Sequence, residues 1–171
     1  YLRIVSLSQK INKISRPRIL ILSVALSYVM EKNAILKGRD EELCVPILVN
    51  AAKNLERGGA DFLVMPCNSL HGFINEIRNS VKIPVISIIE ETVKVLKSNK
   101  VSRVGILATA ITINRNLYKD PLNLNSIKQF IPDDFQQERI GEIIHNLVMN
   151  RQDEGGKNDL AKIVNTFAGQ G

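Results

Sequence analysis

The heptapeptide Met65-Pro66-Cys67-Asn68-Ser69-Leu70-His71 follows the apolar run Phe62-Leu63-Val64 and sets a thiol where a hydrophobic segment gives way to Asn, Ser and His. A cysteine works as a base or nucleophile through its thiolate, which helix N-terminal amides and nearby donors favour. Asn68, Ser69 and the amides opening a helix near Gly72 to Arg78 are placed to supply them, and the same amides suit a bound carboxylate. His71 comes four residues after Cys67, one helical turn if the helix has begun. That spacing allows a Cys–His pair, and it equally allows a histidine that caps the loop or lines the pocket. Cys44 is different: it lies in a helical pattern among Leu43, Val45 and Ile47 and reads as a packing residue.

A second polar cluster, Ala108-Thr109-Ala110-Ile111-Thr112, directly follows Val104 to Leu107. Hydroxyls and free amides at a strand end that leads into a helix again suit a carboxylate. Facing the Cys67 loop, Thr109 and Thr112 would complete a two-sided cleft for an acid.

The elements that must position these clusters are short aliphatic runs alternating with helical stretches. Strands are expected at Arg18 to Ser23, Phe62 to Met65, Val85 to Ile89 and Arg103 to Ala108, each preceded by turn chemistry such as Arg16-Pro17, Gly58-Gly59-Ala60-Asp61 or Ile83-Pro84. Between them, Leu43, Ile47, Leu48, Ala51, Ala52 and Leu55 form one apolar helical stripe that stops at Gly58-Gly59. This is the grammar of βαβ units and a mostly parallel sheet, whose ligands sit beyond the carboxyl ends of the strands. Cys67 stands at such an end. Further along, Asp133-Asp134 opens a helix with Ile140, Ile143, Ile144, Leu147 and Val148 on one face. Residues 153–156 read as a loop, with Asn158 or Asp159 capping a last helix that runs through Phe167.

Composition bounds the function. The chain has 171 residues, 44% hydrophobic and 5% aromatic with no Trp, so aliphatic layers must supply the core. The net charge of +6 comes from scattered Lys and Arg, locally dense only at Lys10 to Arg18 and Lys94 to Arg103, and these read as solvated faces, not as a nucleic-acid site. No apolar run approaches the roughly 20 residues of a membrane span. Two cysteines are too few for a disulfide framework and lack metal-ligand spacing, so no metal and a reducing, cytoplasmic setting are expected.

At these residues the sequence resembles the aspartate/glutamate racemases, the cofactor-independent amino-acid racemases. The resemblance is carried by Gly59 to His71, by Ile83-Pro84-Val85-Ile86-Ser87-Ile88-Ile89-Glu90-Glu91-Thr92, and by Val104 to Thr109 with Thr112-Ile113 and Leu117-Tyr118, all collinear. It implies an α/β fold of two similar lobes, with mostly parallel sheets flanked by helices and the site between them, commonly in homodimers. Residues 1–100 would form the lobe carrying Cys67, and 101–171 part of the second. The resemblance also implies one cysteine per lobe acting as acid or base on opposite faces of the α-carbon, without pyridoxal phosphate or any other cofactor. Cys67 matches the first-lobe cysteine and Asn68 and Ser69 the neighbouring carboxylate binders. Thr109 and Thr112 match the second lobe's contribution, and Lys32 falls near a basic residue for the side-chain carboxylate.

Against that pattern the chain reads as truncated at both ends. The family's opening strand and Gly-rich loop would precede Tyr1, and the second cysteine would follow Gly171. Glu138, with Arg139 alongside, stands where relatives often place a basic residue, and Pro121 interrupts the helix after Tyr118. The expected activity is racemisation of aspartate or glutamate by a protein of which this is a fragment. The alternatives are an inactive homologue that binds a small amino acid or dicarboxylate, and a single-cysteine isomerase or lyase of the maleate or hydantoin type.

Overall fold

The computed structural model describes residues 1–169. Its elements run α1 (Leu2–Ile11), α2 (Tyr28–Lys37), a 3-10 turn (Glu41–Cys44), α3 (Val45–Arg57), β1 (Leu63–Val64), a second 3-10 turn (Ser69–Phe73), α4 (Ile74–Ser80), β2 (Val85–Ile86), α5 (Ile88–Ser98), β3 (Arg103–Gly105), α6 (Ala110–Asn114), α7 (Lys119–Asn123), β4 (Lys128–Phe130), α8 (Asp134–Val148) and α9 (Glu154–Ala168). Two parallel strand pairs organise them. Leu63 and Val64 pair with Val85 and Ile86, and Arg103, Val104 and Gly105 pair with Lys128, Gln129 and Phe130. The expected α/β class with parallel strands is what forms, in a helix-rich version with short strands.

The first pair forms where the aliphatic runs predict it. Gly59, at φ +87°, takes the left-handed turn that ends α3, while the amide of Ala60 reaches back to the Leu55 carbonyl at 3.1 Å. Leu63 and Val85 then bury against Cys44, Leu48, Ala52 and Ile77. The α3 stripe is narrower than its periodicity predicts, since Leu43 and Ile47 are exposed. The expected strand Val85 to Ile89 stops at Ile86, because the Ser87 hydroxyl accepts the Glu90 amide and caps α5.

The expected strand at Arg18 to Ser23 does not form. The segment runs beside β1 across a cavity of ≈ 510 Å³ lined by Pro17, Ile19, Leu20, Phe62 and Val64, with no ladder hydrogen bond to it, and Ile21 is 70% exposed. An apolar run becomes a strand only when a neighbouring edge pairs with it. Conversely, β4 forms from the poorly apolar Lys128-Gln129-Phe130, because Ile127 buries beside Leu122 and Val93 and delivers the following residues to the β3 edge. Helices α1 and α2 were not expected from the sequence pattern.

At the far end, Asp133 and Gln136 form a capping box that opens α8 as predicted. Ile140 is buried, on a helix that packs against α2, while Leu147 and Val148 remain exposed. The last helix begins earlier than expected. Asp153, not Asn158 or Asp159, is its cap, accepting the Gly156 amide at 2.7 Å, and the presumed loop at residues 153–156 is its first turn. Asp159 instead accepts from Arg139 at 3.0 Å, tying α9 to α8.

Phe167 of α9 packs against β3 at Gly105: a Cβ added at Gly105 would stand 2.5 Å from its Cδ2 atom. Gly105→Ala must push that ring and α9 outward, so a loss of about 1–3 kcal/mol is expected in urea unfolding, with unchanged stability contradicting this packing.

Candidate active site

The polypeptide leaves β1, turns tightly so that the Cys67 amide donates to the Met65 carbonyl at 2.9 Å, and enters the 3-10 turn at Ser69. The helical segment therefore opens directly behind the cysteine, not at Gly72. Cys67 is half-buried and Cys44 is 2% exposed. Burial pushes the Cys44 thiol up, and the neighbouring Cys67, Glu41 and Glu42 act in the same direction. Cys44 is thus the packing residue expected, its Sγ lying 3.4 Å from the Met30 sulfur.

The decisive contact joins the two polar clusters. The Ser69 and Thr109 hydroxyls share a hydrogen bond of 2.8 Å, and Thr109 Oγ1 lies 3.3 Å from Thr112 Oγ1. Thr109 is the residue before α6, yet its side chain makes no capping bond and is left to face the other cluster. A third strut runs from Tyr118, whose hydroxyl donates to Asn68 Oδ1 at 2.7 Å. Asn68 and Ser69, just past Cys67 at the carboxyl end of β1, thus meet Tyr118 and Thr109 from beyond β3, with Thr112 beside Thr109. Beside them lies a cavity of ≈ 250 Å³ with Asn68, Thr92 and Tyr118 at its polar positions and Leu96, Ile106 and Leu122 among its apolar ones.

His71 is not paired with the thiol. Its Nδ1–H donates to the Cys67 carbonyl at 2.7 Å and its Nε2 accepts the Ile88 amide at 3.1 Å, so both ring nitrogens are committed to backbone. The ring is 3% exposed, and burial lowers its pKa against the raising effect of the Cys67 carbonyl. This is the loop-capping reading of His71: a neutral imidazole that ties the cysteine's backbone to the start of α5.

Lys32 does not join the cluster. It is exposed on α2, with no hydrogen bond or ion pair among the described residues to Cys67, Ser69 or Thr109. Other groups that sequence reasoning missed brace the site. Glu41, 3% exposed, accepts from Arg115 Nε at 2.7 Å, and the Arg115 guanidinium stacks on Phe73 at 4.9 Å, fastening the end of α6 to the turn that carries Ser69. Gln137 of α8 donates to the Ala108 carbonyl at 3.0 Å. Arg78 donates to the Val85 carbonyl and, in bidentate fashion, to Glu90, which lowers the Glu90 pKa. Tyr118 had a signal, its place in the family pattern; Glu41, Arg115 and Gln137 had none, because their partners lie 29 or more residues away in the chain.

The family model of the Asp/Glu/Hydantoin racemases matches residues 5–171. The chain belongs to this family. It is 26% identical over 133 residues to the broad specificity amino-acid racemase RacX of Bacillus subtilis (strain 168), an alignment covering 78% of the chain and 56% of that relative. With the glutamate racemase of Hydrogenobaculum sp. (strain Y04AAS1) it shares 31% identity over 94 residues, 54% of the chain and 36% of the relative. The chain therefore spans about half or less of the length of these curated racemases. Among solved structures, an aspartate racemase homologue from Pyrococcus horikoshii OT3 superposes with a TM-score of 0.66 at 25% identity, covering 88% of the chain and 65% of its own. A Yersinia pestis protein assigned to the Asp/Glu racemases reaches a TM-score of 0.78 at 22% identity over 99% of the chain and 74% of its own, which establishes the shared fold. No helix among the described residues is long and apolar enough to cross a membrane.

Proposed function

We propose that the chain is part of a cofactor-independent racemase acting on aspartate or glutamate, with Cys67 as the acid or base on one face of the α-carbon. The observation that carries this reading is the 2.8 Å contact between Ser69 and Thr109, which closes the loop behind β1 onto the segment beyond β3 two residues from the half-buried thiol. In this reading the amide of Asn68 and the hydroxyls of Ser69, Thr109 and Thr112 hold the α-carboxylate. Lys32 serves the side-chain carboxylate, reached by movement of its exposed side chain. Removing an α-proton leaves negative charge spread into the carboxylate, and donors fixed before the reaction stabilise that charge at little reorganisation cost.

A thiolate on one face takes the proton and a thiol on the other returns one, so two sulfur groups of matched pKa are needed. Cys44 is unsuited to be the second, sealed in the core with its pKa raised. We assign that role to a cysteine outside residues 1–171. In line with this, residues 1–100 and 101–171 are read as parts of two lobes that share the site, in a cytoplasmic homodimer. The similarity to an amino-acid racemase and a glutamate racemase supports the reaction class.

The test is solvent-deuterium exchange at the α-carbon of L- and D-aspartate and glutamate by the full-length protein. Exchange accompanied by inversion is expected. A homologue that only binds would instead gain stability from the amino acid, about 2.7 kcal/mol at a hundredfold excess over Kd, with no label entering. A single-cysteine isomerase or lyase would leave both amino acids unlabelled and turn over maleate or a hydantoin.

A further inference from the structure

We propose that Tyr118 is a positioning residue that sets which way the Asn68 amide faces, and through it the affinity of the site for carboxylates. The inference rests on the reading of Asn68 as a carboxylate donor. An asparagine amide offers two opposite chemistries at one place: its oxygen accepts and its nitrogen donates. Only the nitrogen attracts an anion. A carboxamide free to rotate at the mouth of a carboxylate site would present its oxygen part of the time and repel the ligand.

Tyr118 removes that freedom. Its hydroxyl donates to Asn68 Oδ1 at 2.7 Å, a well-formed neutral hydrogen bond, and this engages the accepting end of the amide. The nitrogen, Asn68 Nδ2, then points away with both N–H groups unspent among the described residues, on a side chain that is exposed. Tyr118 is itself held. Its ring packs against the cluster of Val93, Leu122 and Ile127, and burial raises its pKa, so it stays a protonated donor through the neutral range. The Thr92 hydroxyl lies beside it and donates to the Ile88 carbonyl at 2.6 Å, so the Thr92 proton is already committed. Asn68 and Tyr118 come from opposite sides of the cleft, 50 positions apart, and the bond also fixes the distance between those sides.

The experiment measures carboxylate affinity without requiring turnover. In the full-length protein, aspartate and glutamate are titrated against the rate at which iodoacetamide alkylates the Cys67 peptide, followed by mass spectrometry, for the parent, Tyr118→Phe and Asn68→Ala. Phenylalanine keeps the ring and its packing and deletes only the donor. The expected result is a weakening of about tenfold in both variants, the size of one hydrogen bond lost or misdirected, with the thermal midpoint of Tyr118→Phe close to the parent's. Where turnover is measurable, KM should rise more than kcat falls. If Asn68→Ala weakens protection and Tyr118→Phe does not, the positioning role is overturned while the carboxylate role of Asn68 stands. If Asn68→Ala binds like the parent, the carboxylate reading fails and the proposal with it. A Tyr118→Phe variant that loses kcat at unchanged KM also overturns it, because that pattern belongs to proton transfer.

Discussion

Replacing Cys67 by Ser is expected to lower racemisation in both directions by about 10²–10⁴-fold, the range for losing a positioned proton-transfer group. A serine hydroxyl has nearly the size of the thiol but holds its proton far more tightly, so at neutral pH it is neither an adequate base nor a matched acid. Both directions must fall, since each inversion needs removal on one face and return on the other. Exchange should fall unequally: the enantiomer whose α-proton faces Cys67 stops exchanging, while the other keeps a share through the remaining base. Unaltered inversion in Cys67→Ser would falsify the assignment. Equal loss of exchange from both enantiomers would count against a base on each face.

His71→Leu is the second large effect, and it falls on stability. The substitution removes the partner of the Ile88 amide and of the Cys67 carbonyl together. Each part-buried group left unpaired costs about 1–3 kcal/mol, so a loss of about 2–6 kcal/mol is expected in urea unfolding. The cysteine's backbone loses its tie to α5 at the same time, and reactivity of the Cys67 thiol should change with it. A stability within about 0.5 kcal/mol of the parent would mean that the imidazole is not the staple described.

The same residue predicts a pH dependence. Its pKa in the folded chain lies below the usual 6.5, chiefly through burial, and a protonated ring would also lose the bond that Nε2 accepts from the Ile88 amide. As the pH falls below 6.5 the unfolded chain takes up a proton that the folded chain refuses. The His71 contribution to stability is therefore complete above 6.5 and is lost as the pH drops toward the lowered folded value. Unfolding free energies for the parent and for His71→Leu between pH 7 and pH 5 should show the parent declining more steeply. Parallel slopes would contradict the buried neutral tautomer.

Much of this architecture was written locally. The helix stop at Gly58-Gly59, the cap at Asp133, and the aliphatic pairs Leu63-Val64 and Val85-Ile86 depend on neighbours within a few residues, and they stand where the sequence places them. The same locality puts Cys67 just past a strand and Thr109 just before a helix, which marked both as candidates. Local pattern also misled. Residues 18–23 have the composition of a strand but stand off from the β1 edge across a cavity and make no ladder bond to it, whereas Lys128-Gln129-Phe130 lacks that composition and pairs with β3, with Ile127 buried behind it.

By itself, then, the sequence determined the family, the α/β class with parallel strands, and the chemistry on offer: a thiol, an amide and a row of hydroxyls. The tertiary structure decided how those groups are used. It turned His71 from a possible partner of the thiol into a backbone staple, left Lys32 outside the cluster, and recruited Tyr118, Glu41 and Arg115 as braces. The physical reason is the same throughout. Capping, turns and hydrophobic periodicity are short-range and can be read along the chain. The direction of a side-chain hydrogen bond and the burial of a charge depend on atoms that only the folded backbone brings together, from 17 to 74 positions apart.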